Sequence, residues 1–382
     1  MEPPIKTHYV ETLQDLEKCV DAVKKHTILV LDTEFRRKNT YYPELCLVQI
    51  ATDADVYVID AIALGSNLFP LESVLFDQGI LKVLHSARQD LEILYNFFHK
   101  VPSPVFDTQI AAMVCGYGES VGFENIAKEL LKLNIDKSMQ NTDWTIRPLT
   151  EEHLNYAVGD VEILYRIYTT LQEKLKALGR EDWVDEEFTN IVDERLYSTN
   201  SEYAWKRLKV RSNKQTYLKM LVSVARWRED YAKTHNVPRT WVLSDDAVYQ
   251  IALILPKSLQ KLEKILGKSV QVKIDVGELF EYVHQTQQNF DSMPEIELPT
   301  KLVASPQSID AIELLKIFRS IQAGQLKIPA KFLASNNDII RLVEGLPHKM
   351  IPWRQKEFCD RALKLLSGEI AIGIKDKKYF IC

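Results

Sequence analysis

Apolar and polar positions along this chain change period several times, and the changes mark out its elements. Residues 27–31, TILVL, form a continuous apolar run with β-branched members, which predicts a strand buried on both faces. LKVLH, residues 81–85, predicts another strand, and SARQDLEILYNFF, residues 86–98, has the apolar spacing of a helix. TQIAAMVCG also has a helical pattern, and Asp107 just before it is read as the N-cap of that helix. Tyr156 and Asp160 stand four apart in a further helical stretch, so they share one helix face.

The C-terminal half is helical in pattern and repeats. A shift of 91 residues without a gap lays the 36 residues from Leu221 over those from Ile312, apolar opposite apolar. Trp227 meets Phe318, Arg228 meets Arg319, Pro238 meets Pro329 and Ser244 meets Ser335. Each copy reads as a helix, a turn with proline, then a serine capping a further helix. Between the α/β part and the first copy, residues 176–200 form an acidic stretch read as a linker. Pro294, Pro299 and Pro306 fall in residues 286–309, read as the connection between the copies.

Composition adjusts this picture in two places. At 382 residues the chain is long for one core and implies two or three domains, with the 46% hydrophobic and 26% charged content of a globular protein. The net charge of −5 looks wrong for a nucleic-acid protein until it is divided. Residues 201–275 hold 15 Lys and Arg against 7 Asp and Glu, so the basic charge is concentrated in the first copy. Its opening, AWKRLKVRSNKQ, supplies Lys206, Arg207, Lys209 and Arg211 beside Trp205, a pattern suited to phosphate contact without sequence preference. Five cysteines scattered without CxxC pairs fit reduced thiols in a cytoplasm. Neither a secretory leader pattern nor an apolar run of membrane-spanning length is present in the sequence, so no membrane partner is expected.

The candidate chemistry lies in five side chains: Asp32 and Glu34 in VLDTEF, Asp90 in HSARQDLEIL, and Tyr156 with Asp160 in NYAVGDVEIL. Strand side chains alternate, so Asp32 and Glu34 point to one side of their strand and can reach one ion. Four carboxylates gathered at one point could not all stay ionised without counter-charge. Divalent cations supply that charge, and oxygen ligands favour Mg²⁺ or Mn²⁺ over Zn²⁺.

LDTEF, HSARQDLEIL, FDTQIAA and TDWTIRPLTEEHLNYAVGD together resemble the ribonuclease D family over about residues 10–175. The resemblance implies an α/β ribonuclease H-like (DnaQ-like) exonuclease domain with a mixed sheet, residues 1–180. It also implies that Asp32, Glu34, Asp90 and Asp160 hold two divalent ions, Mg²⁺ or Mn²⁺, and that Tyr156 orients the attacking water. An unperturbed phenol with pKa near 10 is mostly protonated at neutral pH, so Tyr156 is not read as the base. The first helical copy, residues 201–285, looks like an HRDC domain, and the second, residues 295–382, like a diverged one. Gln49, His85, Lys137 and Trp144 are candidates for substrate contact, with Gln140 in the same loop as Lys137. The expected activity is 3′→5′ exonucleolytic hydrolysis of RNA with a free 3′ end, such as tRNA precursors, by a cytoplasmic monomer. A repair-type DNA exonuclease is the rival within the same chemistry, and a non-catalytic nucleic-acid-binding adaptor the rival outside it. Equal attack on DNA would mark the first, and binding without metal-dependent hydrolysis the second.

Overall fold

The apolar runs of the first half become the strands of one six-stranded sheet. They are β1 (Lys6–Val10), β2 (Ile28–Arg36), β3 (Glu44–Ala51), β4 (Asp55–Asp60), β5 (Leu81–Leu84) and β6 (Val105–Asp107), in the order β1-β4-β3-β2-β5-β6. β1 runs parallel to β4, β3 antiparallel to β4, and β2, β5 and β6 parallel to one another, so the sheet is mixed. The computed structural model describes residues 6–135, 139, 142–267, 274–298, 302–347, 349–375 and 378–381. Lys137 and Gln140, read from the sequence as loop candidates, lie outside the described residues.

The α-helices of seven or more residues in this half are α1 (Leu13–Val23), α2 (Arg88–Phe98), α3 (Thr108–Val114), α4 (Phe123–Leu131), α5 (Glu151–Leu178) and α6 (Asp185–Ile191). β2 is longer than the apolar run that announced it, so Asp32 and Glu34 lie within the strand and not beyond its end. α5 begins at a capping box, in which Thr150 and His153 exchange backbone and side-chain hydrogen bonds, and ends at Gly179 in the left-handed region. Its buried positions Ala157, Val161, Leu164, Tyr168, Leu171 and Leu175 follow the helical period. All of these but Ala157 join Val30, Ala51, Val56 and Val83 of the sheet in one core, where each large apolar side chain contributes about 1.5–3 kcal/mol; Ala157 packs with Cys46, Leu47, Val58 and Trp144 instead.

Two compact units emerge: Met1–Glu34, Cys46–Asp193 and Thr300–Cys382 form one, Phe35–Leu45 with Glu194–Pro299 the other. The first unit holds the sheet and the second helical copy in a single core, since Ile312, Leu315, Phe318, Leu333 and Trp353 belong to the cluster that contains Leu164 and Tyr168. The acidic stretch read as a linker is folded here over its first part. Trp183 stacks on Trp353 with ring centroids 4.3 Å apart, and Arg354 pairs with both Glu186 and Glu187 of α6. Its acidic residues therefore serve as partners for a half-buried cation, a role that composition alone does not reveal.

In the second unit the first copy builds its own core from Leu218, Leu221, Val224, Trp227, Val248 and Ile251. The connection between β2 and β3 belongs to this unit. Tyr41 donates its hydroxyl to Glu229 at 2.5 Å, and the Asn236 side chain accepts from the backbone N–H groups of Tyr41 and Tyr42.

The sequence repeat is a repeat of structure. Helices Gln215–Thr234, Arg239–Val242 and Asp245–Ile254 correspond to Ile309–Leu326, Ala330–Leu333 and Asn336–Val343. Ser244 accepts from Ala247 N–H and Ser335 from Asp338 N–H, the two caps standing at matched positions.

Candidate active site

β2 and α5 between them supply most of the site. Carboxylate oxygens of Asp32 and Glu34 from the strand, and of Asp160 from the helix, all lie within 4.8 Å of one another. Tyr156, one turn before Asp160, gives its hydroxyl to the Asp160 carboxylate. Asp90 stands on the first turn of α2, 8% exposed, and accepts a hydrogen bond from Thr33 Oγ1 at 2.5 Å. The five sequence-marked residues thus converge, with Asp90 held through Thr33 and outside the closest trio.

Burial and crowding raise every carboxyl in the cluster. Asp32 is pushed well above the ordinary carboxylate range by burial, then by the charges of Asp90, Asp160 and Glu34. Burial with Asp160 and Asp90 takes Glu34 to about 9, and burial takes Asp160 to about 7 against the opposing hydrogen bond from Tyr156. Asp90 rises to about 6, because burial outweighs the hydrogen bonds from Thr33. Burial also raises the Tyr156 phenol above its ordinary value, as do the neighbouring carboxylates. Four oxygen donors whose protons are this hard to remove form a set that fits divalent cations, since bound positive charge reverses the local balance.

The remaining candidates have varied surroundings. Gln49 is 0% exposed on β3, with no hydrogen-bond partner for either amide atom. It is neither paired to backbone nor open to a nucleotide, because the sheet face it occupies is covered. Trp144 is 2% exposed and packs its ring 5.9 Å from Tyr156 and 5.1 Å from His153, so it is a wall of the site's interior. His85 puts Nδ1 2.9 Å from Thr108 Oγ1, and burial lowers its pKa against the opposing charge of Asp107.

In the second unit Lys206, Lys209 and Arg211 are exposed. Lys206 lies over Tyr203, with Nζ 4.4 Å from the ring centroid, and the Arg211 guanidinium lies 3.8 Å from that of Tyr249. Arg207 is committed elsewhere, its Nη1 donating to the buried Glu229 carboxylate at 2.6 Å.

Three supporting residues escaped the sequence reading in part or whole. Thr33, between its two acidic neighbours, carries no sequence signal of its own. Asp107 does cap α3 through Gln109 N–H, and it also accepts from the N–H groups of Ser86 and Ala87, fixing the start of the helix that carries Asp90. Arg147 makes five hydrogen bonds: to both Asp60 oxygens at 2.5 and 2.7 Å, and to the carbonyls of Cys46, Trp144 and Ile146. Although burial alone would raise it, Asp60 is held below the ordinary carboxylate value by Arg147 and Tyr9. The arginine ties the strand end to the segment that precedes α5. Its sequence signal is slight, because every partner but its near neighbours is distant along the chain.

The chain is similar to known proteins over most of its length. Residues 7–176 match a family model described as 3′-5′ exonuclease, and residues 218–280 match the HRDC domain. Ribonuclease D of Jannaschia sp. (strain CCS1) is 36% identical over 382 residues, 97% of this chain and 98% of that one. Ribonuclease D of Sphingobium indicum is 35% identical and covers 93% of each chain. The crystal structure of Escherichia coli RNase D, described as an exoribonuclease involved in structured RNA processing, superimposes with a TM-score of 0.79. It is 28% identical and covers 95% of this chain and 99% of that one. The catalytic core of RRP6 from Trypanosoma brucei, at 23% identity and a TM-score of 0.58, shares the fold over 76% of this chain and 82% of that one. With strand, helix and helical modules in the order its motifs implied, the chain belongs to the ribonuclease D family.

Proposed function

We propose that this 3′→5′ exoribonuclease trims single nucleotides from the 3′ extensions of tRNA precursors and other structured RNAs, using two divalent ions, Mg²⁺ or Mn²⁺, and acting as a monomer in the cytoplasm. The observation that carries the reading is the meeting of Asp32, Glu34 and Asp160 oxygens within 4.8 Å, with Tyr156 bonded to Asp160. When bound, the two ions supply charge for the attacking water and for the leaving 3′ oxygen. Asp32, central to the cluster, would help hold both ions, Glu34 and Asp160 would hold the one beside the water, and Asp90 the other. Tyr156 orients the water with a phenol that stays protonated. The products on this reading are 5′ mononucleotides.

Exposed Lys206, Lys209 and Arg211 are assigned to RNA phosphates, where their contribution would weaken with salt. Stacking on Tyr203 and Tyr249 holds two of those cations in place and so lowers the entropy lost on binding. The sequence modules 1–180, 201–285 and 295–382 are retained as the proposed division of labour between hydrolysis, RNA binding and support.

The test uses matched 5′-labelled RNA and DNA strands with wild type and Asp32→Asn, in Mg²⁺, Mn²⁺ and EDTA. A ladder shortening from the 3′ end on RNA, absent in EDTA and with the variant, is the expected result. Equal loss of DNA would replace the substrate assignment, and intact strands with a retained gel shift would leave only binding.

A further inference from the structure

The four carboxylates of the site are not held alike. Asp32 and Glu34 are fixed by the strand, and Asp160 by α5 and the Tyr156 hydroxyl. Asp90 has a different support: it comes from α2, and its Oδ1 accepts from Thr33 Oγ1 at 2.5 Å. Thr33 is itself buried, at 5% exposure, and sits between Asp32 and Glu34 in sequence. One hydroxyl therefore ties the fourth carboxylate to the strand that presents the first two.

The backbone on the other side of this contact is fixed as well. Asp107 accepts from Ser86 N–H at 3.0 Å and Ala87 N–H at 2.9 Å, and α2 starts directly after these residues. With the helix start held there, the remaining freedom of Asp90 is the rotation of its side chain. The Thr33 bond removes that freedom before any cation arrives.

We propose that Thr33 is a positioning residue for the second ion: its hydroxyl sets the Asp90 carboxylate so that one of the two cation sites is preformed. The proposal rests on the two-ion reading above and adds a specific division within it. A partner that orients a ligand without touching the ion typically changes metal affinity 10–100-fold when removed. Thr33→Val keeps the shape and removes the donor, whereas Thr33→Ser keeps the donor and removes the methyl group.

The experiment is calorimetric titration of the full-length protein with Mn²⁺, with no RNA present, for wild type, Thr33→Val, Thr33→Ser, Asp90→Asn and Thr33→Val/Asp90→Asn. Two sites are expected in the wild type. In Thr33→Val one site should weaken by about 10–100-fold while the other is unchanged, and in Thr33→Ser both should return to within a few-fold of wild type. In the Asp90→Asn background Thr33→Val should add nothing, which a general loosening of the fold would not reproduce. If Thr33→Val does not unfold cooperatively, Thr33→Ala takes its place in the same cycle. Wild-type affinity at both sites in a folded Thr33→Val protein, or additive losses in the double variant, overturns the role of Thr33 alone. A wild type that binds no Mn²⁺ overturns the two-ion reading itself.

Discussion

The two helical copies share an internal scaffold and differ in what they pack against. Arg228 donates to Leu243 O and Asp245 Oδ1 in the first copy, and Arg319 donates to Ala334 O and Asn336 Oδ1 in the second, every partner displaced by the same 91 residues. The turn bonds repeat too, Val237 N–H to Ala232 O and Ile328 N–H to Ala323 O, both at 3.0 Å. Yet the first copy closes its own core, while the second shares one with the sheet that carries the acidic cluster. The difference comes from single positions within the repeat and from residues beyond it. Glu229, held by Arg207 and Tyr41, is replaced at the matched position of the second copy by an exposed Ser320, and Trp353 and Arg354 lie past the matched 36 residues. A repeat thus preserves the scaffold of a module, and a few substituted or added side chains decide what the module packs against.

The largest test replaces one matched pair. Phe318→Ala opens a cavity in the shared core and Trp227→Ala one in the first copy's own core, each costing about 3–5 kcal/mol. Chemical denaturation of Phe318→Ala should show earlier unfolding of the unit that holds the acidic cluster, with hydrolysis lost at the same denaturant concentration. Trp227→Ala should lower the midpoint of the first copy and leave hydrolysis of a short single-stranded RNA, measured in water, within a few-fold of wild type. Equal loss of hydrolysis in the two variants at low denaturant would remove the distinction between the copies.

Metal sharpens the same contrast with a smaller effect. A cation that binds only the folded site at about 100 times its dissociation constant stabilises by roughly 2.7 kcal/mol, and that gain belongs to the unit that contains the second copy. Without metal, the folded site holds protons that the unfolded chain releases, because Asp90, Asp160 and Glu34 titrate at about 6, 7 and 9 against ordinary values near 4. Stability from this source is complete below about pH 4 and declines as pH rises through those values. Scanning calorimetry in EDTA should therefore show the first unit's transition falling between pH 5 and 9. Mg²⁺ should raise that transition more at pH 8 than at pH 5 and leave the first copy's transition in place. A shift of both transitions together would contradict the separation.

Much of this was legible in the sequence, because the relevant signals are local. Asp32 and Glu34 share a strand face through a period of two, Tyr156 and Asp160 share a helix face through a period of 3.6, and both patterns survive in the fold. The repeat was legible for the same reason, since Ser244 and Ser335 cap helices within three residues of themselves. What could not be read is what depends on long-range pairing. Arg147 reaches Asp60, 87 residues away, and Arg354 reaches Glu187, 167 residues away, and no local period announces either. Gln49 sits in an apolar run that reads equally as a covered face or a pocket floor, and only the packed sheet decides between them.

The finest test exchanges the charge that meets the repeated arginine. Arg228 is 2% exposed and its carboxylate partner Asp245 is 54% exposed, so water screens much of their attraction. Asn336 in the second copy shows that an amide oxygen satisfies the same guanidinium, since it accepts from Arg319 at 3.0 Å. Asp245→Asn should therefore keep the hydrogen bond and lose only the screened charge together with its favourable place at a helix N-terminus, a cost of about 0.5–1 kcal/mol. Asn336→Asp should gain a similar amount, because burial lowers the pKa of Arg319 and a carboxylate beside it would favour the charged form. Denaturation midpoints moving in opposite directions for the two variants would establish that the copies share one device tuned differently. Movement of both in the same direction would mean that their surroundings, and not the repeated arginine, govern this site in each copy.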